Sequence, residues 1–110
     1  MKIIPISKPY NIKKAGKEIQ KIINKDWISS AGQNVIKFEK SFAKFVGAKY
    51  AISMSNGTVA IISSLSLVIK KNDFVALPAL TFGACANAIL SVCAKPVFID
   101  TNKGKWLISF

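Results

Sequence analysis

The stretch YAISMSNGTVAIISSLSLVIKKNDFVALPALTFGACANAILSVCAKPVFID, residues 50–100, decides the fold. It alternates short β-rich runs with apolar runs of helical length. Tyr50 to Met54 reads as a strand, Ser55 to Thr58 as a turn, and Val59 to Ile69 as a buried helix. After a polar break at Lys70 to Asp73, Phe74 to Leu77 reads as a second strand, ended by Pro78. Phe82 to Ala94 follows as a second buried helix and Pro96 to Asp100 as a third strand. The order strand, helix, strand, helix, strand specifies an α/β fold, with a parallel sheet and helices packed across it.

Outside this stretch the pattern is helical. Ile12, Ala15, Ile19, Ile22 and Ile23 follow helical spacing between Ile12 and Lys25, with Lys13, Lys14, Lys17 and Lys21 over the rest of the surface. Asp26 to Asn34 reads as a loop, on the turn chemistry of Ser29, Ser30, Gly32 and Asn34. Val35, Phe38, Phe42, Phe45 and Val46 recur three or four apart, and Gly47 stands where a helix C-cap belongs. The domain therefore divides into a helical arm, residues 1–47, and a βαβαβ portion, residues 48–110. Pro5 and Pro9 keep the first residues extended. After the third strand, Asn102 to Gly104 reads as a turn before Trp106 to Phe110.

Length and composition narrow the function. One domain fits in 110 residues, of which 51% are hydrophobic, enough for a core. The net charge is +11, and all 16 basic residues are lysine. Without arginine there is no rigid bidentate fork for guanine edges, so the charge signals loose attraction to polyanions and no sequence reading. Without histidine, Ser-His-Asp catalysis and zinc sites are excluded as leading readings, and no metal is expected. Cys85 and Cys93 lie about 12 Å apart along a helix axis, too far for a bridge, and suit a reducing, cytoplasmic compartment. Met1 to Pro9 has no apolar core of a secretory signal. Val59 to Ile69, the longest apolar run, is too short for a bilayer span, so a soluble protein without a membrane partner is expected.

Two places carry chemistry. Ser55-Asn56-Gly57-Thr58 sits between strand and helix, where the first helical N–H groups lack partners and the dipole favours an anion such as phosphate. Gly57 permits close backbone approach, and the Asn56 amide and Thr58 hydroxyl offer further donors; the competing reading is that Ser55 or Asn56 only caps the helix. Pro78 to Phe82 stands at the carboxyl end of the next strand, where ligands bind in open α/β sheets. The Phe82 ring either stacks on a flat ligand there or fills the core. Asp100 ends the third strand at the same edge, or caps the turn that follows.

Taken in order, Trp27 to Gly32, Phe38-Glu39 through Phe42-Ala43, Val46 to Ala51, Ser55 to Thr58, Pro78 to Phe82 and Ala94 to Asp100 resemble the N-terminal part of nucleotide-sugar aminotransferases of the DegT/StrS type. The resemblance covers nearly the whole chain. It implies a pyridoxal-phosphate (PLP) enzyme of the aspartate-aminotransferase fold, here an incomplete large domain of three α/β/α layers with an N-terminal helical segment. The implied substrate is a nucleotide-linked keto-sugar, in cell-surface polysaccharide or secondary-metabolite biosynthesis. By the same resemblance Asn56, Gly57 and Thr58 hold the cofactor phosphate, Phe82 stacks on its ring, and Ser29 and Ser30 contact the sugar. The family's homodimers imply a second copy, a complementary C-terminal fragment or a full-length relative as partner.

The family's cofactor-bearing lysine and the aspartate that pairs with the pyridine nitrogen lie downstream of the matched region. Lys70, Lys71 and Lys95 do not take that lysine's place, so no catalytic residue is expected here and the chain alone is expected to have no transaminase activity. Lys71-Asn72-Asp73-Phe74 stands where the family usually has a Gly-Asp-Glu turn entering the strand, which implies a relaxed or altered turn. The family's sheet order also leaves Tyr50 to Met54 without its neighbour, so a free monomer is expected to be marginal. A PLP sugar dehydratase of the same family, a basic binding module and a non-catalytic remnant paired with a relative are the alternatives.

Overall fold

The structure is a computed structural model that describes residues 4, 7, 10–24, 29–102, 104, 105, 107 and 108. It forms two compact units, residues 1–51 and 52–110.

In the first unit, helix α1 spans Ile12–Ile23 and helix α2 Gln33–Val46. Helix α1 has the expected apolar stripe, yet none of its residues is buried. Its one acidic side chain, Glu18, accepts a hydrogen bond from the Lys21 ammonium at 2.8 Å. That bond, then the Lys21 charge, holds the Glu18 carboxyl below its ordinary value. Lys25, the expected end of this helix, lies outside the described residues, as do Trp27 and most of Met1 to Pro9.

Helix α2 begins at Gln33, two residues earlier than the spacing indicates, so Asn34 is helical and not part of the loop. Gly32 supplies the extended residue before it. Phe38 and Phe42, one turn apart, bring their rings to 5.8 Å. The helix stops at Gly47, whose φ of 71° is left-handed. The Gly47 N–H donates to Lys44 O at 3.3 Å and the Ala48 N–H to Ala43 O at 2.9 Å, the bond pair that closes a Schellman end.

The second unit contains helix α3 (Gly57–Ser66), strand β1 (Phe74–Pro78), helix α4 (Gly83–Ser91) and strand β2 (Lys95–Ile99). Strands β1 and β2 are parallel, with Phe74 opposite Lys95 and Pro78 opposite Ile99, and α4 is the crossover between them. Tyr50 to Met54, expected as a first strand, is outside this two-stranded sheet. A strand exists only as one side of a hydrogen-bonded ladder, and β1 and β2 take each other as neighbours. The βαβαβ expectation is thus corrected to helix α3 followed by one βαβ unit. Beyond β2, Thr101 and Ile108 form an antiparallel bridge around the turn at Asn102.

Strand alternation directs Val75 and Leu77 toward the helices. Leu77, Ile89 and Ala94 form the buried cluster, with Leu65, Ile69, Val75, Cys85, Ala86 and Val92 packed around it. Burying Leu77 and Ile89 contributes about 1.5 to 3 kcal/mol each. Other apolar side chains of the unit stay out of this core; Phe74 is 73% exposed and Leu67 85%.

Two turns lock the strands' entry. Asn72 adopts φ 72°, so the altered turn still uses a left-handed residue and asparagine supplies it in place of glycine. Its N–H donates to Cys93 O at 2.8 Å, and Asp73 Oδ2 accepts the Lys70 N–H at 2.8 Å. Helix α4 ends like α2, with the Cys93 N–H donating to Leu90 O at 2.9 Å and the Ala94 N–H to Ile89 O at 3.2 Å. Here the left-handed position, φ 59°, holds Cys93.

Candidate functional site

The start of α3 is built by Asn56. Its backbone is extended, at φ −164° and ψ 171°, and its side-chain Oδ1 accepts the Val59 N–H at 3.0 Å. Its carbonyl accepts the Ala60 N–H at 3.1 Å, and its Nδ2 donates to Ser55 Oγ at 3.4 Å. The Asn56 side chain therefore does cap the helix. The capping satisfies the third and fourth amides of the turn and leaves the Gly57 and Thr58 N–H groups with no hydrogen bond among the described residues. These two donors stand at the positive end of the α3 dipole.

Ser55, Asn56 and Gly57 are exposed and Thr58 is half-buried. A Cβ placed on Gly57 would meet no atom within 4 Å, so the space over this backbone is open. Two main-chain N–H groups, the Thr58 hydroxyl and open space beside a helix N-terminus suit the terminal oxygens of a phosphate monoester. The donor set fits the phosphate of PLP.

The start of α4 is built differently. Ala79 continues the β1 edge by donating its N–H to Ile99 O at 2.8 Å. Phe82 occupies the N-cap position without a side-chain cap, and its carbonyl accepts the Cys85 N–H at 2.9 Å. Its ring is 81% exposed, so in this unit it is not a core aromatic. Thr81 Oγ1 donates to Cys85 Sγ at 3.4 Å behind it.

Topology places the second of these turns. Parallel β1 and β2 with α4 between them put the α4 N-terminus at the carboxyl edge of the strands. Helix α3 packs on α4, and Leu65, near its C-terminus, joins the cluster of Ile89, near the C-terminus of α4. Leu65 thereby brings α3 into the core that α4 shares with β1.

The other sequence candidates behave locally. The Asp100 carboxylate accepts the N–H of Thr101 at 2.7 Å, so it caps its own turn. Ser29 and Ser30 belong to the first unit and are exposed; Ser29 Oγ accepts the Ala31 N–H at 3.1 Å, part of the turn into α2. The Lys95 ammonium lies 5.4 Å over the Phe74 ring. Among the described residues no group of His, Cys, Asp or Glu could hold a metal ion, and no helix is long and apolar enough to cross a membrane.

Sequence spacing missed one feature of the first unit, a shallow concavity of about 180 Å³ lined by Ile36, Glu39, Lys40, Ala43, Lys49, Tyr50 and Ala51. The Lys49 ammonium lies 5.2 Å over the Tyr50 ring at its rim. Its walls come from α2 and from a segment with no periodic pattern, so only the folded backbone brings them together.

Comparison with known proteins adds three observations. The model of the DegT/DnrJ/EryC1/StrS aminotransferase family matches residues 9–110. The chain is 38% identical over 110 residues to GDP-perosamine synthase of Escherichia coli O157:H7, covering 99% of this chain and 30% of that relative. Two solved structures show the same fold. The aminotransferase from Psychrobacter cryohalolentis is 31% identical with a TM-score of 0.80, over 89% of this chain and 26% of that one. Escherichia coli GDP-4-keto-6-deoxy-D-mannose-3-dehydratase with bound hydrated PLP is 22% identical with a TM-score of 0.86, over 96% of this chain and 28% of that one. The chain thus spans less than a third of the length of these proteins and matches their N-terminal portion.

Proposed function

Because the chain belongs to the DegT/DnrJ/EryC1/StrS aminotransferase family, we propose that it is the cofactor-phosphate portion of a PLP-dependent aminotransferase acting on a nucleotide-linked keto-sugar. The observation that carries this reading is the pair of free donors at Gly57 and Thr58 at the start of α3, beside open space; the exposed Phe82 ring at the start of α4 supports it. The 38% identity to a GDP-perosamine synthase supports a GDP-linked sugar as the substrate class and polysaccharide biosynthesis as its setting.

In this proposal Gly57 and Thr58, in the turn opened by Asn56, hold the phosphate, and Phe82 covers one face of the pyridine ring. The helix dipole and main-chain N–H groups stabilise the dianion without a lysine or arginine. An aromatic face keeps a flat heterocycle in register and excludes water from one side of it. When bound, PLP supplies the electron sink for amino transfer. Ser29 and Ser30 are the proposed sugar contacts. A second subunit or a complementary segment is the proposed source of the lysine and aspartate that the family resemblance puts further along the chain. The free thiols Cys85 and Cys93 support a cytoplasmic setting.

Titration of the purified chain with PLP, followed by absorbance and by ³¹P resonance, tests the cofactor reading. Saturable binding that falls about tenfold or more in Thr58→Val is expected, the size of a lost hydrogen bond to a charged group; no saturation in either chain would end it. Amino transfer to a GDP-linked keto-sugar is then measured on the chain alone and on any longer product of the same reading frame. Activity is expected only in a product that carries the additional lysine. Removal of the sugar hydroxyl without amino transfer would favour the dehydratase relative.

A further inference from the structure

We infer that helix α1 is an interfacial helix, which lies in the headgroup layer of an anionic lipid bilayer with its isoleucine stripe inserted. Neither the core nor the candidate site absorbs the pattern of this helix. It packs against no other helix or strand among the described residues, and none of its side chains is buried. Ile12, Ile19 and Ile23 are 60, 55 and 45% exposed. At about 100° per residue these three, with Ala15 and Ile22, fill one arc of roughly 100° in which no polar side chain falls.

Local support for the helix is thin. Asn11 holds the N-cap position in a left-handed conformation, φ 55°, without a side-chain cap bond, and no acidic residue occupies the first turn. Gly16 sits inside the helix. Twelve residues so placed are marginal as a helix in water, because helical stability in proteins comes mostly from burial of an apolar face. The stripe therefore needs a surface to cover it.

Charge selects the surface. Lys13 falls on one flank of the stripe and Lys14 on the other, each about 80° beyond its edge. Their apolar stems let the ammonium groups reach lipid phosphates while the isoleucines enter the acyl boundary. Lys17 and Lys21 face away from the stripe and add to the long-range attraction, and the one acidic side chain, Glu18, is paired with Lys21 at 2.8 Å. Tyr10, exposed just before the helix, is of the type that sits at headgroup level. A second copy of the chain is the wrong occupant, since each carries +11. The stripe also has none of the aromatic or arginine anchors on which protein interfaces rely, whereas a bilayer asks for no shaped fit. No helix among the described residues is long and apolar enough to cross a membrane, but lying in its surface takes only a stripe and flanking charge.

The purified chain is mixed with vesicles of phosphatidylcholine, alone or in a two-to-one mixture with phosphatidylglycerol. Binding is read by co-sedimentation and helicity by far-UV circular dichroism. Saturable binding to the mixed vesicles with a gain in helicity is expected. On phosphatidylcholine alone binding should be weaker by about twentyfold or more, the combined effect of two lysines at the headgroups. Ile19→Asn should weaken binding to the mixed vesicles about tenfold or more by setting a polar group in the middle of the stripe. Lys13→Gln and Lys14→Gln should each cost about fivefold. Because no side chain of α1 is buried, these substitutions leave the cluster of Leu77, Ile89 and Ala94 intact.

Equal binding to both kinds of vesicle would overturn the inference, as would no saturable binding to the mixed ones. So would an Ile19→Asn chain that binds like the parent. Polyglutamate, titrated in parallel, offers negative charge without an apolar layer. If it binds as tightly as the mixed vesicles and raises helicity as much, the bilayer reading falls and an acidic macromolecule takes its place.

Discussion

Helices α1 and α4 make opposite use of their apolar residues. Helix α1 carries the cleaner amphipathic stripe, Ile12, Ile19, Ile22 and Ile23 against four lysines, and buries none of it. Helix α4 is apolar with little sidedness, and it holds Ala88 and Ile89, two of the most buried residues in the molecule. The difference is one of connection. Helix α4 is the crossover between two parallel strands, and such a crossover lies across the sheet it joins. Among the described residues helix α1 is joined to no strand. Periodicity reports which residues can share a face, and the chain's path decides whether that face meets anything.

Substitutions test this contrast directly. Ile89→Ala removes a side chain from the buried cluster that joins α3, α4 and β1, and should cost about 2 to 5 kcal/mol. Thermal or denaturant unfolding followed by circular dichroism measures it. In a unit with so small a core, the expected outcome is loss of a cooperative transition. A cost under about 0.5 kcal/mol would break the contrast, because that is the range of surface substitutions.

The ends of α2 and α4 sharpen it at the next scale. Both close with the same pair of backbone bonds, one around Gly47 and one around Cys93. A left-handed residue with a Cβ costs about 1 to 2 kcal/mol, and the Cys93 side chain is exposed and packs nothing in return. Cys93→Gly should raise the free energy of unfolding by up to about 1 kcal/mol, after the larger entropy loss of glycine is subtracted, read from the denaturant midpoint. A destabilised variant would mean that the thiol contributes contacts its exposure does not suggest.

The smallest effects belong to α1. Ile19→Ala should change stability by less than about 0.5 kcal/mol. Acid should act on this helix through Glu18, whose carboxyl is held below its ordinary value by the hydrogen bond and charge of Lys21. A depressed folded value means the ion pair's support is present above that pH and is lost as pH falls through the folded value. Helicity of α1 should therefore decline slightly on acidification, and Glu18→Gln should abolish that pH dependence, its helicity at neutral pH already matching that of the acidified parent. Residue-resolved shifts of α1 across the titration would show either outcome.

Much of the fold was legible in the residues. The positions of all four helices, both paired strands and the Gly47 stop follow from spacing and turn chemistry, with boundaries that moved by a few residues. Helix α3 ends at Ser66 and not at Ile69, because the Val68 and Ile69 N–H groups both turn back to Leu65 O to bring the chain round toward β1. Tyr50 to Met54 is not a strand here: β-rich composition names a strand's candidates, and the segment lacks the ladder neighbour that the family's sheet order already withholds from it. The loss of glycine before β1 suggested a changed turn, whereas Asn72 tolerates the left-handed backbone through its short polar side chain.

At the candidate site the division is the same. The amino acids alone identified Ser55 to Thr58 as a helix start with spare donors, since a helix satisfies its amides within four residues and the N-cap is a local event. They also carried the family resemblance, which is a matter of order and spacing. Only the tertiary structure decided that the Asn56 side chain is spent on Val59, that the Phe82 ring is exposed, and that the turn before α4 lies at the carboxyl edge of the strands. Those outcomes depend on which distant segments come to lie alongside one another, and hydrogen bonds between strands and burial between layers are set by that meeting and by nothing within a short stretch of chain.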